Sequence, residues 1–312
     1  MNTKPVIMCL GEALIDVVHR DGVTSEHVGG SLLNVANVLG EQGATTLLAC
    51  WIGSDERGDR IEKTLASHQV ALVPESRKAP FTSVAHAEVD SNGHATYTFD
   101  VLWDAPDVST YHFDHLHTGS LASMLEPGAS KVRETMARHS QHGTVSFDPN
   151  ARPHLMGRGE DARKVMEEMV SMSDIVKVSD EDCEWLDGDS LDLEAQLDAW
   201  LELGPSLVVI TRGAQGAIAG LKNGQRAFIP AMDVTVADTV GAGDSFMGGL
   251  LAGLADIGLI GMGSAKEKCA SATMDTITPA LKRASVTSGL TVSHAGAYAP
   301  TWEETERALH AL

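Results

Sequence analysis

Aromatic residues are scarce in this 312-residue chain: Phe, Tyr and Trp make up 4%. A core must therefore be built mostly from aliphatic side chains. Cysteine is scarcer still. Cys9, Cys50, Cys183 and Cys269 lie far apart, which excludes a Cys-x-x-Cys zinc pair and leaves buried free thiols as the expectation. Positive charge is outnumbered, with 23 Lys and Arg against 43 Asp and Glu and a net charge of −20. A surface that acidic repels phosphate backbones and anionic lipid, so neither a nucleic acid nor a membrane is an expected partner. Long apolar runs are missing too. The run Val6–Leu10 is too short for a signal-peptide core or a membrane span, and the expected compartment is the cytoplasm. Solenoid-length repeats and low-complexity linkers are also lacking.

What is present is enough hydrophobic residue, 43%, to bury a core. Val6–Leu10 reads as a strand buried on both faces, ended by Gly11. Similar runs recur at Thr46–Ile52, Leu116–Thr118, Thr144–Phe147, Ile175–Val178 and Leu207–Ile210. Helical spacing separates them. Leu32, Val35, Ala36 and Leu39 share a face closed by Gly43; Ile61, Leu65 and His68 mark another helix; residues 128–139, 160–172 and 191–203 read as further ones. Strands alternating with helices predict an α/β fold with a mostly parallel central sheet. Phe81–Val89 and Ala95–Phe99 break this rhythm, flanking Asp90-Ser91-Asn92-Gly93 as a β-hairpin. With the extended stretch 15–29 they predict a small second sheet, a candidate lid over the carboxyl ends of the strands.

The strongest motif is Asp238-Thr239-Val240-Gly241-Ala242-Gly243-Asp244-Ser245-Phe246-Met247-Gly248-Gly249. It follows a strand-like stretch, Val234–Ala237, and runs into an apolar helix, Phe246–Leu254. Amides at such a glycine-rich helix start converge on an anion, and the helix dipole adds to the attraction. Asp244, in the first turn, could take a proton from an attacking hydroxyl. Alone it is equally an ordinary cap. A Walker A loop is excluded because no Gly-Lys-Ser/Thr occurs, and a dinucleotide fingerprint because position 246 is Phe.

Residues 238–249 resemble the carboxy-terminal signature of ribokinase-like (PfkB-type) carbohydrate kinases, and Gly29-Gly30-Ser31-Leu32-Leu33-Asn34-Val35-Ala36 resembles their earlier signature. The resemblance spans essentially the whole chain, with bacterial fructokinases nearest. It implies a ribokinase-like three-layer sandwich, a single domain over 1–312, with a β lid from about 12–30 and 78–108. It also implies an ATP-dependent phosphotransferase acting on a sugar hydroxyl. Asp244 would be the base, and the amides of Gly241, Ala242 and Gly243 the anion hole. Asp16, Gly30 and Asn34 would hold the sugar. Read without the family, Asn34 is a first-turn polar group and Asp16 a solvated strand end.

Phe147-Asp148-Pro149-Asn150-Ala151-Arg152-Pro153 resembles a strand-end motif of fructokinases and 2-keto-3-deoxygluconate kinases. It implies Arg152 on the substrate and Asp148 near the ATP phosphates and metal; the plain alternative is an Asp-Pro turn. Lys177, at the next strand end, joins the ATP side. Ser179 and Asp182 stand where many relatives carry Asn and Glu linked to Mg²⁺ through water, or else form a helix cap. Thr211-Arg212-Gly213-Ala214-Gln215-Gly216 resembles the nucleotide loop, implying Thr211, Arg212, Gly213 and Gly216 near ATP; the alternative is a turn entering a hairpin at Asn223-Gly224. The family also implies K⁺ beside the anion hole, on Asp238 and the Val240 carbonyl, with a late loop near Ser293–Gly296. Trp103 and Phe99 are candidates to stack on the sugar or to pack internally. His112, His115 and His117 lack a carboxylate or Cys to complete a metal set.

Fructose is the preferred substrate, with 2-keto-3-deoxygluconate and ribosides or nucleosides behind it. A keto acid would call for extra cations, and Arg152 stands alone. A sugar-binding regulatory protein on the same fold is the alternative of another class, and the intact Asp244 loop argues against it. The sequence does not give the oligomer; relatives in the family are often dimers through the lid sheet, so a homodimer through the lid is what the resemblance implies.

Overall fold

The computed structural model describes residues 4–20, 22–89, 95–157, 159–188 and 192–311. The chain opens with β1 (Val6–Leu10), β2 (Leu14–Arg20), β3 (Val23–Gly29), α1 (Ser31–Glu41), β4 (Thr45–Ala49), α2 (Glu56–Ser67) and β5 (Val70–Leu72). It continues through β6 (Val84–Val89), β7 (Ala95–Asp100), β8 (His115–Gly119), α3 (Gly128–His139), β9 (Thr144–Asp148), α4 (Pro153–Met156) and α5 (Glu160–Ser171). Then come β10 (Ile175–Ser179), α6 (Asp180–Asp187), α7 (Leu193–Leu203), β11 (Leu207–Thr211), β12 (Ala217–Leu221) and β13 (Arg226–Ile229). Four helices close it: α8 (Ala242–Asp256), α9 (Ser264–Ala270), α10 (Met274–Val292) and α11 (Trp302–Leu309).

Nine strands form the main sheet in the order β13-β12-β11-β10-β9-β8-β1-β4-β5. From β5 to β11 every pairing is parallel, and β12 and β13 add antiparallel at one edge. The apolar runs are continuous because both faces are covered. Ile7 and Cys9 of β1 face one core, with Leu32, Leu39, Leu250 and Leu281 from α1, α8 and α10. Met8 and Leu10 face the other, with Val132, Met166 and Leu197 from α3, α5 and α7. This is the expected three-layer sandwich. α8 lies unusually close to its neighbours: a Cβ on Gly248 would stand 2.7 Å from Val38, and one on Gly253 would stand 2.7 Å from Ala280. Small residues there let α8 wedge between α1 and α10.

The second sheet has the order β3-β2-β6-β7. β2 and β6 pair in parallel, the other pairs antiparallel. Arg57 and Arg60 of α2 clasp Glu26 of β3, tying this sheet to the body. The expected turn at residues 90–93 lies outside the described residues. Two expectations are corrected. Val234–Ala237 forms no strand, because it runs beside the end of α10 and Ala237 N–H donates to the Val292 carbonyl instead of a sheet neighbour. Residues 103–108, taken as part of the lid, pack into the main body through Trp103, Ala105 and Val108, since these side chains are too apolar to stay at a sheet's rim.

Candidate active site

Parallel strands aim their carboxyl ends at one edge, and loops from β1, β8, β9, β10 and β11 gather there with the start of α8. Gly241 holds φ at 75° to start α8, where an added Cβ would sit 2.7 Å from that of Ala297. Ala242 N–H turns to the Thr239 carbonyl at 3.3 Å, and Gly243 N–H is left among the helix's unpaired first-turn donors. Asp244 follows, 6% exposed. Rather than merely capping, its carboxylate reaches across to α1. Ser31 Oγ donates to Oδ1 at 2.7 Å and Asn34 Nδ2 to Oδ2 at 2.8 Å. Asn150 Nδ2 donates to Oδ1 at 3.0 Å and to Ser31 Oγ at 2.8 Å. The two signature segments are thus joined by hydrogen bonds.

Gly30 has φ 115°, and a Cβ there would stand 2.6 Å from the Glu12 carbonyl, so α1 begins hard against the end of β1. Glu12 is buried; its Oε1 accepts Ser31 N–H at 3.3 Å, and Oε2 has no partner among the described residues. Burial pushes its carboxyl up to about 7, against the pull of the Arg152 charge. Asp16 lies over Gly29, its pKa raised by burial and held back by His27 and Arg152. Arg152 Nη1 donates to the carbonyl and side-chain oxygens of Asn150 at 2.9 and 2.7 Å. Asp16, Gly30, Asn34, Arg152 and Asp244 therefore gather around the start of α1, with the buried Glu12 beneath Ser31.

On the other side Lys177 Nζ donates to Asp148 Oδ2 at 2.9 Å, with side chains 3% and 1% exposed. Burial lifts Asp148 to about 6 despite the lysine's pull. Burial works to lower Lys177 as well, but Asp148 outweighs it and holds the ammonium charged. A Cβ on Gly243 would lie 2.9 Å from Lys177 Nζ, which sets this cation directly beneath the start of α8. Asp148 Oδ1 is buried without a partner among the described residues. Ser179 and Asp182 form a capping box on α6, and Asp182 Oδ1 also accepts Ala151 N–H at 2.7 Å. Thr211 Oγ1 bonds the Val178 carbonyl at 3.3 Å, Arg212 N–H closes on the Gly216 carbonyl, and Gly213 and Gly216 take positive φ in between. Asp238 receives Val240 N–H at 3.1 Å and Gly296 N–H at 2.9 Å, and these amides hold its carboxyl below the usual range.

Trp103 is a correction. It is 3% exposed and its indole packs on Gly128 of α3, leaving no face open to a sugar. An indole buries more apolar surface in the core than a polar cleft could cover. His115 and His117 are buried on β8 and bond Thr144 and Ser146; no group of three potential ligands that could hold a metal occurs among the described residues. Ser31, Asn150 and Glu12 were missed as site residues. Ser31 lies inside the Gly29–Ala36 segment and Asn150 inside the Phe147–Pro153 segment, but their partners are distant in sequence.

Residues 4–304 match the model of the pfkB family carbohydrate kinases. The chain belongs to this family of carbohydrate kinases. A fructokinase of Rhizobium leguminosarum bv. trifolii is 35% identical over 265 residues, covering 80% of this chain and 79% of that protein. One from Klebsiella pneumoniae is 33% identical over 271 residues, covering 83% and 87%. Among solved structures, fructokinase with bound ATP from Xylella fastidiosa superposes with a TM-score of 0.84 over 99% of both chains, at 24% identity, which speaks to the fold. A double mutant of Vibrio cholerae O395 fructokinase, in fructose, ADP and potassium ion bound form, gives 0.78 at 25% identity over 99% of both chains. As a family member the chain is a phosphotransferase acting on a sugar hydroxyl.

Proposed function

We propose that this kinase phosphorylates fructose at its 6-hydroxyl, with Asp244 as the general base. The observation that carries this reading is the Asp244 carboxylate, buried at a helix start and bonded to Ser31 and Asn34 of the sugar-side segment. Supporting the sugar are the fructokinases at 35% and 33% identity. The chemistry is an in-line transfer. Asp244 takes the hydroxyl proton, the sugar oxygen bonds to the γ-phosphorus, and the bond to the bridging oxygen of ADP breaks. The Gly243 amide, unpaired at the helix start, would face the charge on the phosphoryl group in flight, joined by those of Gly241 and Ala242 once Ala242 N–H leaves the Thr239 carbonyl, and the Lys177 ammonium beneath them adds to the same field. Asp16, Gly30, Asn34 and Arg152 hold the sugar in reach.

Asp148, Lys177, Ser179 and the loop of Thr211, Arg212, Gly213 and Gly216 line the ATP side. Mg²⁺ suits this site: Asp148 Oδ1 is a buried acceptor without a partner among the described residues, and Asp182 has lone pairs left for a water. The ion would neutralise charge on the phosphates. The oxygen donors of Asp238 and the Val240 carbonyl suit a monovalent cation such as K⁺. The small sheet is read as a lid that excludes water. No helix among the described residues is long and apolar enough to cross a membrane. The four free, buried cysteines support a reducing compartment, the cytoplasm.

A coupled ADP-release assay over fructose, 2-keto-3-deoxygluconate and several ribosides, with ATP and Mg²⁺ and with or without K⁺, tests this. Fructose should show the highest kcat/KM. A keto acid or riboside turned over more efficiently would overturn the substrate while leaving the family reaction standing.

A further inference from the structure

Asn150 lies between Asp244 and Arg152, two groups the mechanism uses, and its side-chain amide bonds both. Nδ2 donates to Asp244 Oδ1 at 3.0 Å and to Ser31 Oγ at 2.8 Å, while Oδ1 accepts from Arg152 Nη1 at 2.7 Å. The chemistry of the partners dictates this orientation. An ionised carboxylate only accepts and a guanidinium only donates, so the amide nitrogen must face Asp244 and its oxygen Arg152. The backbone of Asn150 has φ 38°, in the left-handed region that Asn tolerates better than most residues. Such a conformation persists where the surroundings over-determine it.

We propose that Asn150 is a positioning residue for phosphoryl transfer, locking the plane of the Asp244 carboxylate and linking it to Arg152. The inference rests on the reading of Asp244 as the base. Its consequence is a choice of oxygen. Ser31 and Asn150 both donate to Oδ1, whereas Oδ2 has Asn34 as its one side-chain donor among the described residues. A carboxylate oxygen has two lone-pair sites, so Oδ2 is the one with room for the incoming hydroxyl. By spending its donor on Oδ1, Asn150 leaves Oδ2 open and stops the carboxylate from rotating. Other charges also bear on Asp244. Glu12, beneath Ser31, and the buried Asp148 and Lys177 act on it through space, and Arg152 acts on Glu12. All are kept in the variants below.

Asn150→Asp preserves size and backbone tolerance but sets a carboxylate where the donor stood. Asn150→Gly preserves the backbone and deletes the amide. The measurement is kcat/KM for fructose against pH, with circular dichroism as a check on folding. The acidic limb of Asn150→Asp should rise by about one to three pH units, from the like charge, and that of Asn150→Gly by less in the same direction. Turnover at neutral pH should fall about tenfold or more in Asn150→Asp. An acidic limb unmoved in both variants, even with lower turnover, would make the amide mere scaffold and overturn the proposal. If one variant does not fold, the other decides. Asp244→Asn, assayed alongside, separates the two ideas. Normal turnover there sinks the base itself, while lost turnover there with unmoved limbs at Asn150 sinks only the positioning role.

Discussion

Replacing Lys177 with methionine should destabilise the fold in a way that depends on pH. Lys177 and Asp148 are 2.9 Å apart and 3% and 1% exposed, so neither can turn to water if the other is removed. Taking one partner from a buried pair typically costs about 3–5 kcal/mol. In the intact protein burial raises Asp148 from 3.8 to about 6, against the pull of Lys177. An acid with a raised folded pKa binds more protons in the native state than in the unfolded one. The stability it contributes is therefore present below 3.8 and lost as pH rises to about 6. At about 1.36 kcal/mol per pH unit that gap is worth about 3 kcal/mol. Without the lysine the pKa climbs further, so the deficit of the variant opens above about pH 6 and closes toward about pH 4. Urea unfolding of Lys177→Met, Asp148→Asn and the double variant, at mildly acid and mildly alkaline pH, measures it. The expected result is a deficit of about 3 kcal/mol on the alkaline side, smaller on the acid side, and largely relieved in the double variant. A deficit equal at both pH values, or single effects that simply add, would refute the reasoning.

Asp244→Asn should lower kcat by about 10²–10⁴-fold while sugar KM changes far less, read by steady-state kinetics; near-normal turnover would contradict the base assignment. Gly241→Ala places a Cβ 2.7 Å from Ala297 in a backbone of φ 75°. It should cost about 1–3 kcal/mol in thermal or urea unfolding and lower kcat about 10²-fold through the displaced amides. Trp103→Ala should cost about 3–5 kcal/mol of stability and leave the sugar KM unchanged, and a large rise in KM with little lost stability would return the indole to the substrate cleft.

The strands and helices were largely legible from the chain alone, because hydrophobic period is a relation between near neighbours. Val6–Leu10, Ile175–Val178 and Leu207–Ile210 appear as β1, β10 and β11 with little change. The exceptions have local causes. Val234–Ala237 alternates like a strand but finds a helix end as its partner. Trp103 sits beside a hairpin in sequence, yet its apolar neighbours come from the α/β body.

Sequence alone determined the glycine-rich start of α8, the carboxylate in its first turn and the α/β alternation, since each depends on residues adjacent along the chain. Only the tertiary structure decided what Asp244 touches. Its partners Ser31, Asn34 and Asn150 lie 213, 210 and 94 positions away. Asp148 and Lys177 likewise form a buried pair across 29 positions because β9 and β10 are neighbours in the sheet. Polar pairing at this site is set by which strand ends the sheet order brings together, and no local pattern encodes that order.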